Sequence, residues 1–236
     1  MALKILKENE EGFGIIVDRE AGSISSELNP TLNEGYQNLD LSKPLIYYAT
    51  LQKYGVENRN GRIYPEDILR REATKYQEVI NKNASFHELD HPQESVISLK
   101  GGSPHRILEL TWRGNALIGK LEILVSEGYR KHGIISCDGD VAAHYLSYGM
   151  TLGISSRGVG SLKKINGKNV VQNDFELICW DFVSSPSTPG SYVYKNIEDF
   201  EKYDETTAND EPVMVNNSKG NRESDFMSQL SSFLNK

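Results

Sequence analysis

The sequence predicts a mainly β protein with surrounding helices (α+β), in which the strands form a barrel-like core. Two hairpin signals carry most of this prediction. The turns are Arg113-Gly114-Asn115 and Asn166-Gly167, and short turns of this composition between strand-like runs are typical of β-hairpins. The flanking runs are residues 107–112 and 116–125 for the first hairpin, and 159–165 and 170–183 for the second. Helical patterns are few, so strands should dominate the fold.

The other elements are predicted from apolar spacing and terminal signals. Residues 13–17 and 45–51 have the pattern of strands. Pro65 suits the first position of a helix. Four apolar residues would share one face of that helix, namely Leu69, Ala73, Tyr76 and Ile80. Residues 140–148 predict a short helix that Gly149 ends.

The chain divides by composition into three parts. Residues 1–40 predict an N-terminal arm with one strand, and residues 41–200 predict the main domain. Residues 201–236 predict a flexible linker followed by a short amphipathic helix, because the polar stretch after Phe200 has no periodicity. Ser224 could cap the final helix, whose apolar face would contain Phe226, Leu230, Phe233 and Leu234. Such a helix suits docking to a partner surface.

Composition excludes several classes of protein. A net charge of −7 argues against direct nucleic-acid binding by the chain as a whole. Two cysteines, Cys137 and Cys179, offer no disulfide framework and favour a reducing compartment. The first eight residues lack the pattern of a signal peptide, and no apolar run is long enough to span a bilayer. We therefore expect no membrane association.

The segment His87-Glu88-Leu89-Asp90-His91-Pro92 matches the sequence pattern of a zinc peptidase motif. In such a motif two histidines one helical turn apart bind zinc, and the glutamate acts as general base. Pro92 argues against a helix here, because the residue before a proline is driven out of the α region. We therefore expect no metal, and interpret His91 as a base for a nucleophile elsewhere in the chain.

The candidate nucleophile lies in Gly153-Ile154-Ser155-Ser156-Arg157-Gly158. Either serine could serve, but side chains alternate on an extended segment, so only one can meet His91. Exposed N–H groups near Arg157 and Gly158 are the predicted oxyanion donors. Serine needs a histidine to take its proton, and the histidine needs a third group to orient it. Asp181, a carboxylate in an apolar run, is one candidate for that role.

Four motifs in this order resemble the prohead (capsid maturation) serine proteases of tailed phages, especially those of the T-even type, distant relatives of the herpesvirus assemblins. The motifs are Asn58-Arg59-Asn60-Gly61-Arg62-Ile63-Tyr64-Pro65, Glu88-Leu89-Asp90-His91-Pro92, Gly153-Ile154-Ser155-Ser156-Arg157-Gly158-Val159-Gly160 and Asp181-Phe182-Val183. The resemblance extends from about residue 45 to about residue 191. It implies an assemblin-like seven-stranded β-barrel surrounded by helices.

By position, the resemblance assigns His91 as general base and Ser155 as nucleophile. It favours Asp181 as the third member of the triad, while Glu88 and Asp90, which flank the histidine, remain alternatives. The family usually has glycine where this chain has His87, which suggests that the match to the zinc peptidase motif is accidental. No cofactor is implied.

The expected function is a serine endopeptidase that cleaves phage scaffold and capsid proteins inside the assembling prohead, in the host cytoplasm. Such enzymes typically cut after glutamate with an aliphatic residue two positions earlier, which predicts self-cleavage after Glu8 or Glu34. Self-association is a further possibility. Two alternatives are a zinc metallopeptidase using His87 and His91, and a non-catalytic capsid or scaffold component.

Overall fold

The computed structural model describes residues 3–7, 10–18, 39–92 and 94–200. Strands dominate these residues, and three helices accompany them. The strands are β1 (Gly12–Val17), β2 (Leu45–Lys53), β3 (Arg62–Ile63), β4 (His105–Arg113), β5 (Ala116–Ile123), β6 (Gly153–Ile165), β7 (Lys168–Val171), β8 (Glu176–Val183) and β9 (Val193–Tyr194). The helices are α1 (Glu66–Asn81), α2 (Glu127–His132) and α3 (Asp138–Ser147). None of these helices combines the length and hydrophobicity needed to cross a bilayer.

The strands form two sheets, which confirms the mainly β prediction. One sheet has the order β1-β6-β7-β3, with β8 also paired to β6, and the other has the order β4-β5-β2-β9. The central strand is β6, which is antiparallel to β1, β7 and β8. Because β6 is 13 residues long, β7 pairs with its second half while β8 pairs with its first.

The seven-stranded barrel is not confirmed, because the two sheets of the described residues do not close into one. The sheets meet at a short seam, where Gly153 pairs with Tyr192 and the Val193 N–H donates to the Leu152 carbonyl at 2.9 Å. At the far edge, β4 has no strand partner other than β5 in the described ranges, and α1 packs against it. The free edge of β4 is therefore left unpaired by any strand of the described ranges.

The first hairpin is confirmed as β4 and β5 around Gly114. The second hairpin turns at Asn166 and Gly167, whose φ values of 53° and 83° fit a type I′ turn. Its expected second strand is in fact two strands, β7 and β8, because the chain turns again where Phe175 N–H donates to the Gln172 carbonyl at 3.1 Å. Both strands pair with β6.

The two expected helices are present with shifted ends. Helix α1 begins at Glu66, directly after Pro65, and buries the predicted apolar face. It ends at Asn81, so the chain reaches His91 in a non-helical conformation. Helix α3 starts two residues earlier than expected, and Gly149 follows it with a φ of 69°. The additional helix α2 is capped by Ser126, whose hydroxyl accepts from the Tyr129 N–H at 3.1 Å.

The N-terminal residues contribute to the main sheet. Strand β1 pairs with β6, and Leu6 is buried at 3% exposure with its N–H bonded to the Ile15 carbonyl. Leu6, two residues before the expected cleavage site at Glu8, is therefore packed against the sheet and not exposed. Glu8 and Glu34, the expected cleavage sites, lie outside the described residues, as does the tail of residues 201–236.

Candidate active site

A buried histidine–aspartate pair lies where β8 meets the segment after α1. His91 Nδ1 is 2.7 Å from Asp181 Oδ2, and the two side chains are 1% and 0% exposed. A carboxylate can only accept hydrogen bonds, so His91 donates one through Nδ1–H. In the neutral imidazole, Nε2 is then the acceptor. Nε2 is buried without a hydrogen-bond partner. This is the tautomer that a general base requires.

The segment that carries His91 is fixed to β8 by backbone bonds. Phe182 N–H donates to the Glu88 carbonyl at 3.0 Å, and Asp90 N–H donates to the Phe182 carbonyl at 2.7 Å. Leu89 thus forms an isolated parallel bridge with Phe182. Residues 88–90 act as a short extension of the sheet, which directs the next side chain, His91, toward Asp181.

Asp181 is held as a carboxylate by four donors. Besides His91, these are the Glu88 N–H at 2.8 Å, Arg157 Nε at 2.9 Å and the Cys179 thiol at 3.2 Å. Burial alone would raise the pKa of Asp181. The hydrogen bond from His91, the charge of Arg157 and the Glu88 N–H outweigh burial, so this pKa lies below its ordinary value.

The two serines face different sides of β6. Ser155 is the register partner of Asp181 on β8, and paired residues of antiparallel strands project to the same face. Ser156 projects to the opposite face, where its hydroxyl donates to Asp18 Oδ2 at 3.0 Å. The structure therefore brings Ser155, His91 and Asp181 to one face of the sheet and places Ser156 on the other.

The Ser155 hydroxyl does not bond to His91 in this conformation. It donates instead to the backbone carbonyl of Asp18 at 2.6 Å, and Ser155 is 3% exposed. The same carbonyl accepts the Ser187 N–H at 2.9 Å. The residue that follows β1 therefore covers the serine and engages its proton.

Asp18 is fixed by a buried polar cluster on the face of β6 to which Ser156 projects. Its carboxylate accepts from Arg62 Nη1 at 3.1 Å and from Asn58 Nδ2 at 3.0 Å, as well as from Ser156. Asn58 also donates to Ser187 Oγ at 3.2 Å. The motif that begins at Asn58, to which the sequence assigned no role, thus holds the segment that covers Ser155.

Arg157 and Gly158 lie within β6 rather than in an open turn. Strand β1 pairs with both residues on one side and β8 on the other. A Cβ on Gly158 would lie 2.6 Å from Phe175 Cζ and 2.7 Å from the Glu176 carbonyl. The glycine therefore serves close packing between strands, and an oxyanion role for these two residues stays a prediction that requires a flanking strand to move.

His87 lies in the core and not beside His91 on a helix. Its Nδ1 accepts from the Trp180 N–H at 3.3 Å, and its Nε2 is 2.8 Å from Ser85 Oγ. Burial lowers the pKa of His87 to about 4. Both ring nitrogens are engaged by protein groups, so the spacing that suggested a zinc peptidase has no geometric basis. No group of three candidate metal ligands occurs among the described residues.

Sequence reasoning missed two features of the site. No local signal marks Asp18, because its side-chain partners lie 34 or more positions away in the chain. The guanidinium of Arg157 could have been found: it sits two residues after Ser155 on a strand, hence on the same face, and a buried arginine needs a carboxylate. Glu88 contacts that guanidinium rather than His91.

The fold and the site are those of one class of protein, the proteases that act inside the phage prohead during capsid maturation. Residues 14–202 match the prohead core protein serine protease family, and the chain belongs to that family. The resemblance inferred from the four motifs is confirmed.

Two relatives come from the same phage. The prohead core protein protease of Enterobacteria phage T4 is 31% identical over 189 residues, which span 77% of this chain and 84% of that protein. The structure of the bacteriophage T4 capsid assembly protease matches with a TM-score of 0.56 and 25% identity, over 75% of this chain and 100% of that chain. The α+β fold described above is therefore that of a capsid maturation protease.

Proposed function

We propose that the protein is a serine endopeptidase that cleaves phage scaffold and capsid proteins inside the prohead, in the host cytoplasm. Ser155 is the nucleophile, His91 the general base and Asp181 the group that orients His91. The observation that carries this proposal is the buried 2.7 Å bond between His91 and Asp181, on the face of the sheet to which Ser155 projects.

The reaction follows from these positions. His91 Nε2 removes the Ser155 proton, and Oγ attacks the peptide carbonyl to form an acyl-enzyme after the amine leaves with a proton from His91. Water, activated by the same histidine, then releases the acyl group. Asp181 stays ionised throughout and stabilises the imidazolium by charge and by its bond to Nδ1.

The described conformation is closed, and the proposal requires it to open. The Ser155 hydroxyl donates its hydrogen bond to the Asp18 carbonyl. It must therefore rotate toward His91 before it can be activated. Since Asp18 follows β1, a shift of the N-terminal strand would free the hydroxyl and expose the serine. A peptide substrate could then occupy the space beside β6.

The test is proteolysis of a scaffold protein by Ser155→Ala, Ser156→Ala and His91→Ala variants. Ser155→Ala and His91→Ala should lose cleavage by at least about 10³-fold, the scale seen when a triad member is removed. Ser156→Ala should retain cleavage, although it loses a buried bond to Asp18 and some stability. An acylating probe directed at serine should label Ser155 alone. Activity of Ser155→Ala at the wild-type level would refute the proposal.

We further propose cleavage after glutamate, with self-cleavage after Glu8 or Glu34. Leu6 is buried against the sheet, so cleavage after Glu8 requires residues 3–7 to detach first. Incubated active enzyme should acquire new N-termini at residue 9 or 35, whereas Ser155→Ala material should stay intact. Termini at other positions would show that this specificity does not apply.

A further inference from the structure

The side chain of Arg157 is fully buried beside the proposed triad, and the proposed reaction does not use it. Its exposure is 0%. Nε donates to Asp181 Oδ2 at 2.9 Å, Nη1 donates to the Glu94 carbonyl at 2.7 Å, and Nη2 forms an ion pair with Glu88 Oε2. One guanidinium therefore contacts both the aspartate of the triad and the segment that carries His91.

The contacts of Arg157 bracket His91 along the chain. Glu88 lies three residues before the histidine and Glu94 three residues after it. The other oxygen of the Glu88 carboxylate accepts the Ser98 N–H at 3.0 Å. Beyond the Leu89 bridge, residues 84–92 and 94–100 have no helix or sheet pairing. Two backbone bonds tie residues 88–90 to β8, and the contacts of Arg157 add side-chain anchors on both sides of His91.

The position of Arg157 on β6 couples the segment to the nucleophile. Arg157 follows Ser155 by two residues, so both side chains project to the face that holds Asp181. We propose that the Arg157 guanidinium is a positioning residue that fixes Asp181 and the His91 segment relative to Ser155. The inference rests on the proposed serine mechanism and adds a residue to it.

Charge explains why an arginine suits this position. Asp181 and Glu88 are buried at 0% and 8% exposure, and two carboxylates so close repel unless a cation lies between them. Arginine remains charged when buried and has a planar fork that can reach several acceptors at once. A lysine supplies the charge but only one compact ammonium, so it cannot hold all three partners in the same geometry.

Two substitutions separate geometry from charge. Arg157→Lys keeps the charge and should lower kcat by about 100-fold, the effect of a displacement of roughly 1 Å at a reacting group, with KM and the acid limb of the pH profile little changed. Arg157→Met removes the charge as well. Its uncompensated carboxylates favour protonated His91, so the acid limb of kcat/KM should also move to higher pH.

Arg71→Lys is the matched control, because Arg71 also bonds a carboxylate and carbonyls. Its partners are Glu72 Oε1 at 2.8 Å and the Asn173 and Phe175 carbonyls at 2.8 and 2.6 Å. They lie on α1 and near the start of β8. This variant should retain wild-type kcat and pH profile, and it should lose less thermal stability than Arg157→Lys because Arg71 is 31% exposed.

Glu88→Gln keeps the inference testable where an Arg157 variant does not fold. It retains an oxygen for the Ser98 N–H and leaves the bond between Arg157 and Asp181 in place, so we expect roughly a tenfold loss of kcat. Because a negative charge is removed near His91, the acid limb should move to lower pH, opposite to Arg157→Met.

All rates are divided by the number of active sites, titrated with the acylating probe, so that misfolded protein does not count as lost activity. A merely structural role would lower the thermal midpoint of Arg157→Lys and Glu88→Gln while the rate per site and the acid limb stay at wild type. That outcome would overturn the inference and leave the serine mechanism intact. Wild-type activity of Ser155→Ala would instead overturn the proposed function itself.

Discussion

Side chains alternate between the two faces of a strand, and this places the neighbouring hydroxyls of Ser155 and Ser156 in two different polar sites. Ser155 projects toward Asp181 on β8, and Ser156 bonds to the Asp18 carboxylate on the opposite face. Of these two identical side chains, only that of Ser155 lies on the face that holds His91 and Asp181. Asp18 contacts both serines, through its carbonyl and its carboxylate, because its backbone runs beside β6 at this point.

The Asp181 carboxylate yields the sharpest prediction for a single residue. Asp181→Asn keeps the shape of the side chain but offers an amide where His91 Nδ1 donates, which favours the wrong tautomer of the imidazole. In the well-studied serine proteases this exchange lowers kcat by about 10⁴-fold, and we expect a loss of about 10³ to 10⁴-fold in cleavage of a scaffold substrate at neutral pH.

Asp174→Asn is the matched control, because Asp174 is exposed at the turn between β7 and β8, where it bonds to Ser161. It should retain wild-type cleavage. If Asp181→Asn cleaves as fast as this control, then Asp181 does not orient the base, and its burial beside His91 is structural.

Much of the site could be predicted at this scale, because its motifs are local. Pro92 correctly indicated that His91 is not helical, and the resemblance selected three residues that the fold brings to one face. Asp18 could not be predicted, since only the antiparallel pairing of β1 with β6 brings it to Ser155. Its partners depend on the fold and leave no local pattern in the sequence.

At the scale of elements, glycines let β6 pack tightly between its neighbours. The ring of Phe175 lies against Gly158, and Phe175 Cα lies 2.7 Å from the place of a Cβ on Gly160. The structure shows that the space beside Gly158 and Gly160 is already filled by Phe175.

Gly158→Ala should therefore destabilise the protein by about 1–3 kcal/mol, the usual cost of overpacking a core. The added methyl group would lie 2.6 Å from Phe175 Cζ, so Phe175→Leu in the same chain should recover part of the loss. Denaturant unfolding of the two single variants and the double variant measures the coupling as a double-mutant cycle.

The recovery should be partial, because the Glu176 carbonyl also lies 2.7 Å from the added methyl group and cannot move freely. Additive losses in the cycle would show that the strands shift apart and that Phe175 does not limit the space. Gly167→Ala is not an equivalent control, since Gly167 has a positive φ of 83° and would be strained without any clash.

Over the whole molecule, most of the predicted strands are present, but they form two sheets and the predicted barrel is not confirmed. Alternating runs such as those of β4 and β5 specify a strand and its hairpin partner locally. Closure depends on which distant edges pair, and in the described residues β4 pairs with β5 alone. The periodicity of a single strand does not show whether its edge will pair with a distant strand.

His87 and His105, two buried histidines outside the proposed triad, predict how the stability of the whole fold depends on pH. Burial lowers the pKa of His87 to about 4, and it lowers that of His105 well below the ordinary value of 6.5. The folded protein therefore binds fewer protons than the unfolded chain between about pH 6.5 and 4. The free energy of unfolding must fall as the pH drops through this window, and for His87 alone the fall approaches about 3 kcal/mol.

His87→Gln removes one of these titrations and should flatten the slope of unfolding free energy against pH between pH 6.5 and 4. Glutamine is polar and neutral, so any packing loss lowers stability at every pH and leaves the slope as the diagnostic quantity. His132→Gln, at an exposed position, should keep the wild-type slope. Denaturant unfolding at half-unit pH intervals measures all three proteins, and a wild-type slope for His87→Gln would show that this histidine binds its proton equally well in the folded and unfolded chain.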